Sequence, residues 1–197
     1  MNFKFATKIN SKLQKLDFKK AIAIAETELK KIPTTDFHAI LGQSLTDQAN
    51  DLAAWINDFY KAASKKLTIK ALYFEMNEFD INTEVWFIDC FAFSKDGGLD
   101  LRNMGWICDY ETDSRTETNT IFIIEGLKKL QNAFETVEPD NDNLQNARDW
   151  SEQLIIARFM ELMRAAHLTA KENNFAWDTI PIYFTEHSYD FILKSKN

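Results

Sequence analysis

Asp109, Glu111 and Asp113 alternate where a predicted strand runs out into a polar loop, and alternation in an extended chain puts all three carboxylates on one side. Such a trio can coordinate a divalent cation or present an anionic surface to a basic partner. A calcium loop of the EF-hand type needs a central Gly and a terminal bidentate Glu. Neither is present, so the expectation is no metal and no cofactor. With Trp106 and Tyr110 beside it, the trio is read as a partner-binding surface, against the plainer alternative of a solvated acidic loop.

A second pair of acids lies deeper in apolar sequence. Asp89 sits among aromatic residues in Thr83–Ser94, where an ionised carboxylate is costly unless paired, and Glu75 on the preceding predicted strand is its possible companion. Two close carboxylates can do general acid–base work, as in glycoside hydrolysis, if burial raises one pKa. The competing expectation is an Asp89 bound to Arg or Lys.

Other chemistry is thinly supported. His38, His167 and His187 are scattered, and Glu186-His187 reads as a mere dipeptide. No cysteine pair has zinc spacing, and there is no Gly-x-Ser-x-Gly, Gly-x-Gly-x-x-Gly or Walker loop. This weighs against an enzyme without excluding one. Cys90 and Cys108 lie in apolar runs and read as buried, inert thiols in a reducing compartment. Trp106, Tyr110 and Trp177 could anchor an interface, although in a chain with 16 Phe aromatic residues belong first to the core.

Composition narrows the partners. Apolar types make up 45% and charged types 27%, too apolar for disorder. The net charge of -7 is uneven. Residues 1–31 carry eight Lys against three acids, whereas residues 75–149 carry seventeen acids against six bases. The acidic middle would repel phosphates, so no nucleic acid is expected and a protein partner with a basic surface is. The N-terminus lacks an apolar signal core, and no stretch reaches a membrane span. A cytoplasmic protein with no membrane role follows as the expectation.

The elements that must position these residues follow from periodicity. Leu13, Leu16, Ile22, Leu29 and Ile32 predict one amphipathic helix over 10–31, stopped by Pro33. Thr34-Thr35-Asp36 can start a short segment ending near Gly42. Ala49, Leu52, Ala53, Ile56, Phe59 and Ala63 predict a helix over 47–64. Thr68–Met76 alternates, placing Ile69, Ala71, Tyr73 and Glu75 on one face. Thr83–Ser94 reads as its neighbour with both faces covered, and a third strand is expected near Met104–Tyr110 after the Gly97-Gly98 turn. Helices are predicted over 121–136 and 144–172, and a short strand over 180–184, with an apolar patch at Tyr189–Leu193. Few Gly and Pro favour long elements. The expected fold is α+β, an antiparallel sheet of three to five strands with helices packed on one face and helix-rich ends. It is read as one domain over 1–197, helical through residues 1–66 and combining sheet and helices in 67–197; a division into two subdomains near 66 is the alternative.

Ala71-Leu72-Tyr73-Phe74-Glu75, the strand Trp86–Phe93, Gly97-Gly98 and Gly105-Trp106-Ile107-Cys108-Asp109-Tyr110 loosely resemble small acidic bacterial immunity proteins of polymorphic toxin systems. The likeness covers 71–135. It implies a protein that binds a toxin and blocks it, often through an acidic surface set against basic nuclease residues. A small-molecule enzyme of hydrolase type using Glu75 and Asp89 is the competing class, and a structural or assembly subunit the third.

Overall fold

The computed structural model describes residues 3–108, 115–187, 189 and 191–197. The single helix expected over 10–31 is two, α1 (Phe3–Leu13) and α2 (Phe18–Leu29). Leu16 breaks them apart with φ of 54°, a left-handed conformation that costs a non-glycine residue about 1 kcal/mol. Its side chain packs against the core, and Asp17 then caps α2 by accepting from the Lys20 N–H at 3.3 Å. The predicted helix near 47–64 is α3 (Ala49–Ala63).

The sheet begins with β1 (Ala71–Met76) and β2 (Phe87–Phe93), antiparallel as alternation predicts. The third strand expected at Met104–Tyr110 is not one as far as the chain is described: Gly105–Cys108 is a 3-10 turn. The strands beside β2 come later, as β3 (Arg115–Glu117) and β4 (Phe122–Ile123). The predicted helix 121–136 therefore starts late, as α4 (Lys128–Thr136), after Gly126 turns the chain at φ 86°.

Asn141 caps the long helix α5 (Asp142–Glu172) by accepting from the Leu144 N–H at 3.0 Å. α5 carries the chain back across the molecule, so β5 (Ile182–Glu186) pairs with β1 in parallel and β6 (Leu193–Ser195) closes the edge antiparallel to β5. The sheet is accordingly mixed, ordered β3-β2-β1-β5-β6 with β4 beside β2. The purely antiparallel expectation fails because a long helix between two strands supplies the crossover that a parallel pair needs.

The helices cover one face. Leu72, Phe74, Met76, Ile88, Cys90, Ile182 and Phe184 point into a cluster that runs from Ala6 to Leu193. α5 packs against α1, α2 and α3 as well as β5 and β6, which explains why its buried residues encircle the helix. Trp86, Phe79 and Phe134 meet edge to face within 6.0 Å, and the Trp86 indole donates to the Phe79 carbonyl. Each fully buried large apolar side chain contributes roughly 1.5–3 kcal/mol. Among the described residues no helix is long and apolar enough to cross a membrane.

Candidate functional site on the open face of the sheet

Among the described residues the opposite face is only partly covered. Ala71, Tyr73, Phe93 and Tyr183 form a second, small cluster under Ile107, with Trp106 packed against it. Trp106, expected as an exposed anchor, is half-buried: it meets Phe93 and Tyr183 edge to face and donates to the Gly98 carbonyl at 3.0 Å. Gly97 is required by that contact, since a Cβ there would stand 2.3 Å from the indole. The 96–108 segment thus folds over one end of the face.

Beside it lies an open cleft of about 990 Å³. Tyr73, Glu75, Asp89, Phe91 and Thr185 line it from the sheet, Met104, Ile107 and Cys108 from the covering segment, and His187 from the turn after β5. The strand pairing explains the assembly. Glu75 stands opposite Asp89 on β2 and opposite Thr185 on β5, so all three emerge in one row. Tyr73 and Phe91 form the next row, opposite each other.

Glu75 is held at both oxygens. The Tyr73 hydroxyl donates to Oε2 at 2.8 Å, and His187 bonds Oε1 through Nδ1. The bond to Glu75 raises the His187 pKa despite partial burial. Desolvation first, then the Glu75 carboxylate, push the Tyr73 phenol far above its usual range. Thr185 is no nucleophile, because its hydroxyl is committed to the carbonyls of Glu186, Tyr189 and Phe191.

Asp89 differs. It is half-buried, and among the described residues it has no hydrogen-bond or ion-pair partner. Burial raises its pKa, and the charges of Glu75 and Glu117 raise it further. The expected Arg or Lys partner is not found among the described residues. Arg115, which lines the same cleft, stacks on Phe91 at 4.5 Å and pairs with Glu117 at 3.4 Å instead. At the covered end of the same face the contrast is plain. Burial works against the ionisation of Asp96, yet it accepts from the Tyr183 hydroxyl and the Gly98 N–H and pairs with Lys194, and these contacts prevail to lower its pKa.

The other candidates are dispersed. Asp109, Tyr110, Glu111 and Asp113 lie outside the described residues, although Cys108 and Arg115, at either end of that stretch, both line the cleft. Cys90 is buried as expected, but Cys108, expected to be buried as well, is exposed in the 3-10 turn. His38 caps a 3-10 turn by accepting from the Thr35 N–H. Trp177 is fully buried and stacked on His167. Among the described residues no three His, Cys, Asp or Glu side chains are grouped to hold a metal ion. Glu75 and Asp89 are recognisable as companions from the sequence. His187 is not, because only the parallel β1–β5 register brings it to Glu75.

No protein-family model, curated protein or solved structure matches the chain.

Proposed function

We propose that the chain is a protein-binding module, of the immunity or inhibitor kind, that receives a basic side chain of its partner in the row formed by Asp89 and Glu75. The supporting observation is the Asp89 carboxylate, without a partner among the described residues and held in an open cleft beside Glu75 and Glu117. A guanidinium or ammonium entering there relieves like-charge repulsion and supplies the missing hydrogen bonds, and charge-assisted bonds of this kind are about twice as strong as neutral ones. The acidic middle of the sequence speeds the encounter with a basic surface.

Titration with a short Arg-rich peptide, followed by backbone amide NMR, tests this reading. Shifts should centre on residues 73–75, 89–91 and 185–187, weaken with salt and with Asp89→Asn, and be absent with a Glu-rich peptide of equal length. Shifts centred elsewhere, or unaffected by Asp89→Asn, would refute it.

One observation favours a second reading, a carboxylate hydrolase. Burial and neighbouring charge raise the Asp89 pKa while Glu75 is oriented by Tyr73 and His187, two carboxyl groups in different settings facing one cleft. Turnover of a glycoside panel with a bell-shaped pH profile abolished by Asp89→Asn would select it over the binding module.

A further inference from the structure

Next to the acid row the same face is apolar. Trp86 and Phe122 point into the core, so Val85, Phe87, Ile121 and Ile123 emerge on the open side. Phe87 stands opposite Ile123. Val85, Ile121 and Ile123 are 41%, 43% and 51% exposed. Isolated exposed aliphatics are ordinary; here four apolar residues share one patch, Phe87 and Ile123 on paired strands and Val85 and Ile121 just before those strands, with Phe87 two residues along β2 from Asp89. At roughly 3.3 Å per residue the patch and the carboxylate lie about 7 Å apart.

We infer that Val85, Phe87, Ile121 and Ile123 form the apolar half of the partner-docking surface, and that the occupant is an amphipathic segment of another protein carrying bulky apolar side chains beside a Lys or Arg. The inference rests on the acid-row reading above and adds the region that supplies most of the affinity. Apolar area excludes water around the charged contact, and a pair of charges gains most where water is excluded. The separation of about 7 Å matches residues i and i+2 of a strand. Charge decides the occupant's sign: Asp89, Glu75 and Glu117 face this end of the sheet, while Arg115 is engaged with Phe91 and Glu117. β4 is two residues long, so the patch is a face and not an extended edge inviting a further strand.

Panning a displayed library of random twelve-residue peptides on the full chain tests the inference. Enriched sequences should combine two or more bulky apolar residues with a Lys or Arg, and their affinity should fall by about tenfold or more on Ile123→Asp and on Asp89→Asn. Unchanged thermal unfolding of Ile123→Asp, with Val85→Asp as a second variant, separates lost contact from lost fold. If Asp89→Asn weakens binding while Ile123→Asp and Val85→Asp do not, this inference fails and the acid-row reading stands. Enriched peptides without a basic residue, or no enrichment at all, overturn the inference. So does a concentration-dependent dimer that Ile123→Asp dissociates, because the occupant would then be a second copy of the chain.

Discussion

On the helix-covered side of the sheet Leu72, Phe74, Met76, Ile88 and Phe184 are completely buried, whereas the same three strands present Tyr73, Glu75, Asp89, Phe91 and Thr185 to an open cleft. Because the side-chain period of a strand is two, one short stretch of chain serves both purposes. The covered side fixes the position of the strands, and the open side holds, beside the well-bonded Glu75 and Thr185, an Asp89 without a hydrogen-bond or ion-pair partner among the described residues. Two polar groups, one on each side, show the contrast. His167, under the helices, donates from Nε2 to the Asp178 carbonyl at 3.0 Å and accepts from the Ser195 hydroxyl at 2.8 Å, which Arg164 bonds in turn. Asp89, on the open side, has no such partner among the described residues.

The contrast breaks most easily at an aromatic residue on each side. Trp86→Ala should destabilise the protein by about 3–5 kcal/mol, through lost burial and the cavity left among Phe79 and Phe134. Phe91→Ala, on the half-open side, should cost only about 1–2 kcal/mol. Urea unfolding of both variants measures the difference, and equal losses would erase the distinction between the faces.

A smaller effect sharpens the polar half of the contrast. Burial lowers the His167 pKa from 6.5 to about 4, so between those values the unfolded chain binds a proton that the folded one does not. Stability from this group is complete above pH 6.5 and lost as pH falls to about 4, a change of about 3 kcal/mol. Glu152 on the same helix tilts oppositely, since burial raises its pKa to about 7 and its ionisation weakens the fold as pH rises towards that value. The His167 contribution is therefore read as the difference between wild type and His167→Gln. Urea unfolding between about pH 4 and pH 7 should show wild type losing stability relative to the variant as pH falls; parallel curves would mean that His167 is not held neutral.

Much of the covered face is legible from sequence, because it is written in local periodicity. β1, β2, α3 and α5 arise near their predicted positions, with Tyr73 and Glu75 on one face as alternation requires. The failures are nonlocal. The 104–108 segment has the apolar composition of a strand, but Gly97 lets it fold over the sheet, where Trp106 fills the space that any larger side chain at 97 would occupy. β4 is recruited from a segment with helical spacing because Phe122 finds Trp55 and the core beside β2. Within the cleft, alternation brings out Glu75 and Asp89, but nothing local places His187 on Glu75 across 112 residues. Nor does anything local reveal that the Arg sharing the cleft with Asp89 is engaged elsewhere.

On the proposed reading Asp89, without a partner among the described residues, is left for the basic group that binds there. A carboxylate whose folded pKa lies above its unfolded one binds more protons when folded, so its contribution to stability is present at low pH and lost as pH rises through the folded value. Thermal unfolding of wild type and Asp89→Asn from about pH 3 to about pH 8 is the decisive comparison. The variant should melt at a higher temperature than wild type near pH 7, and the gap should close towards about pH 3, where Asp89 is protonated. A variant that melts lower than wild type near pH 7 would mean that the carboxylate already has a stabilising partner within the chain, and the cleft would lose its claim to be a site kept open for a basic group.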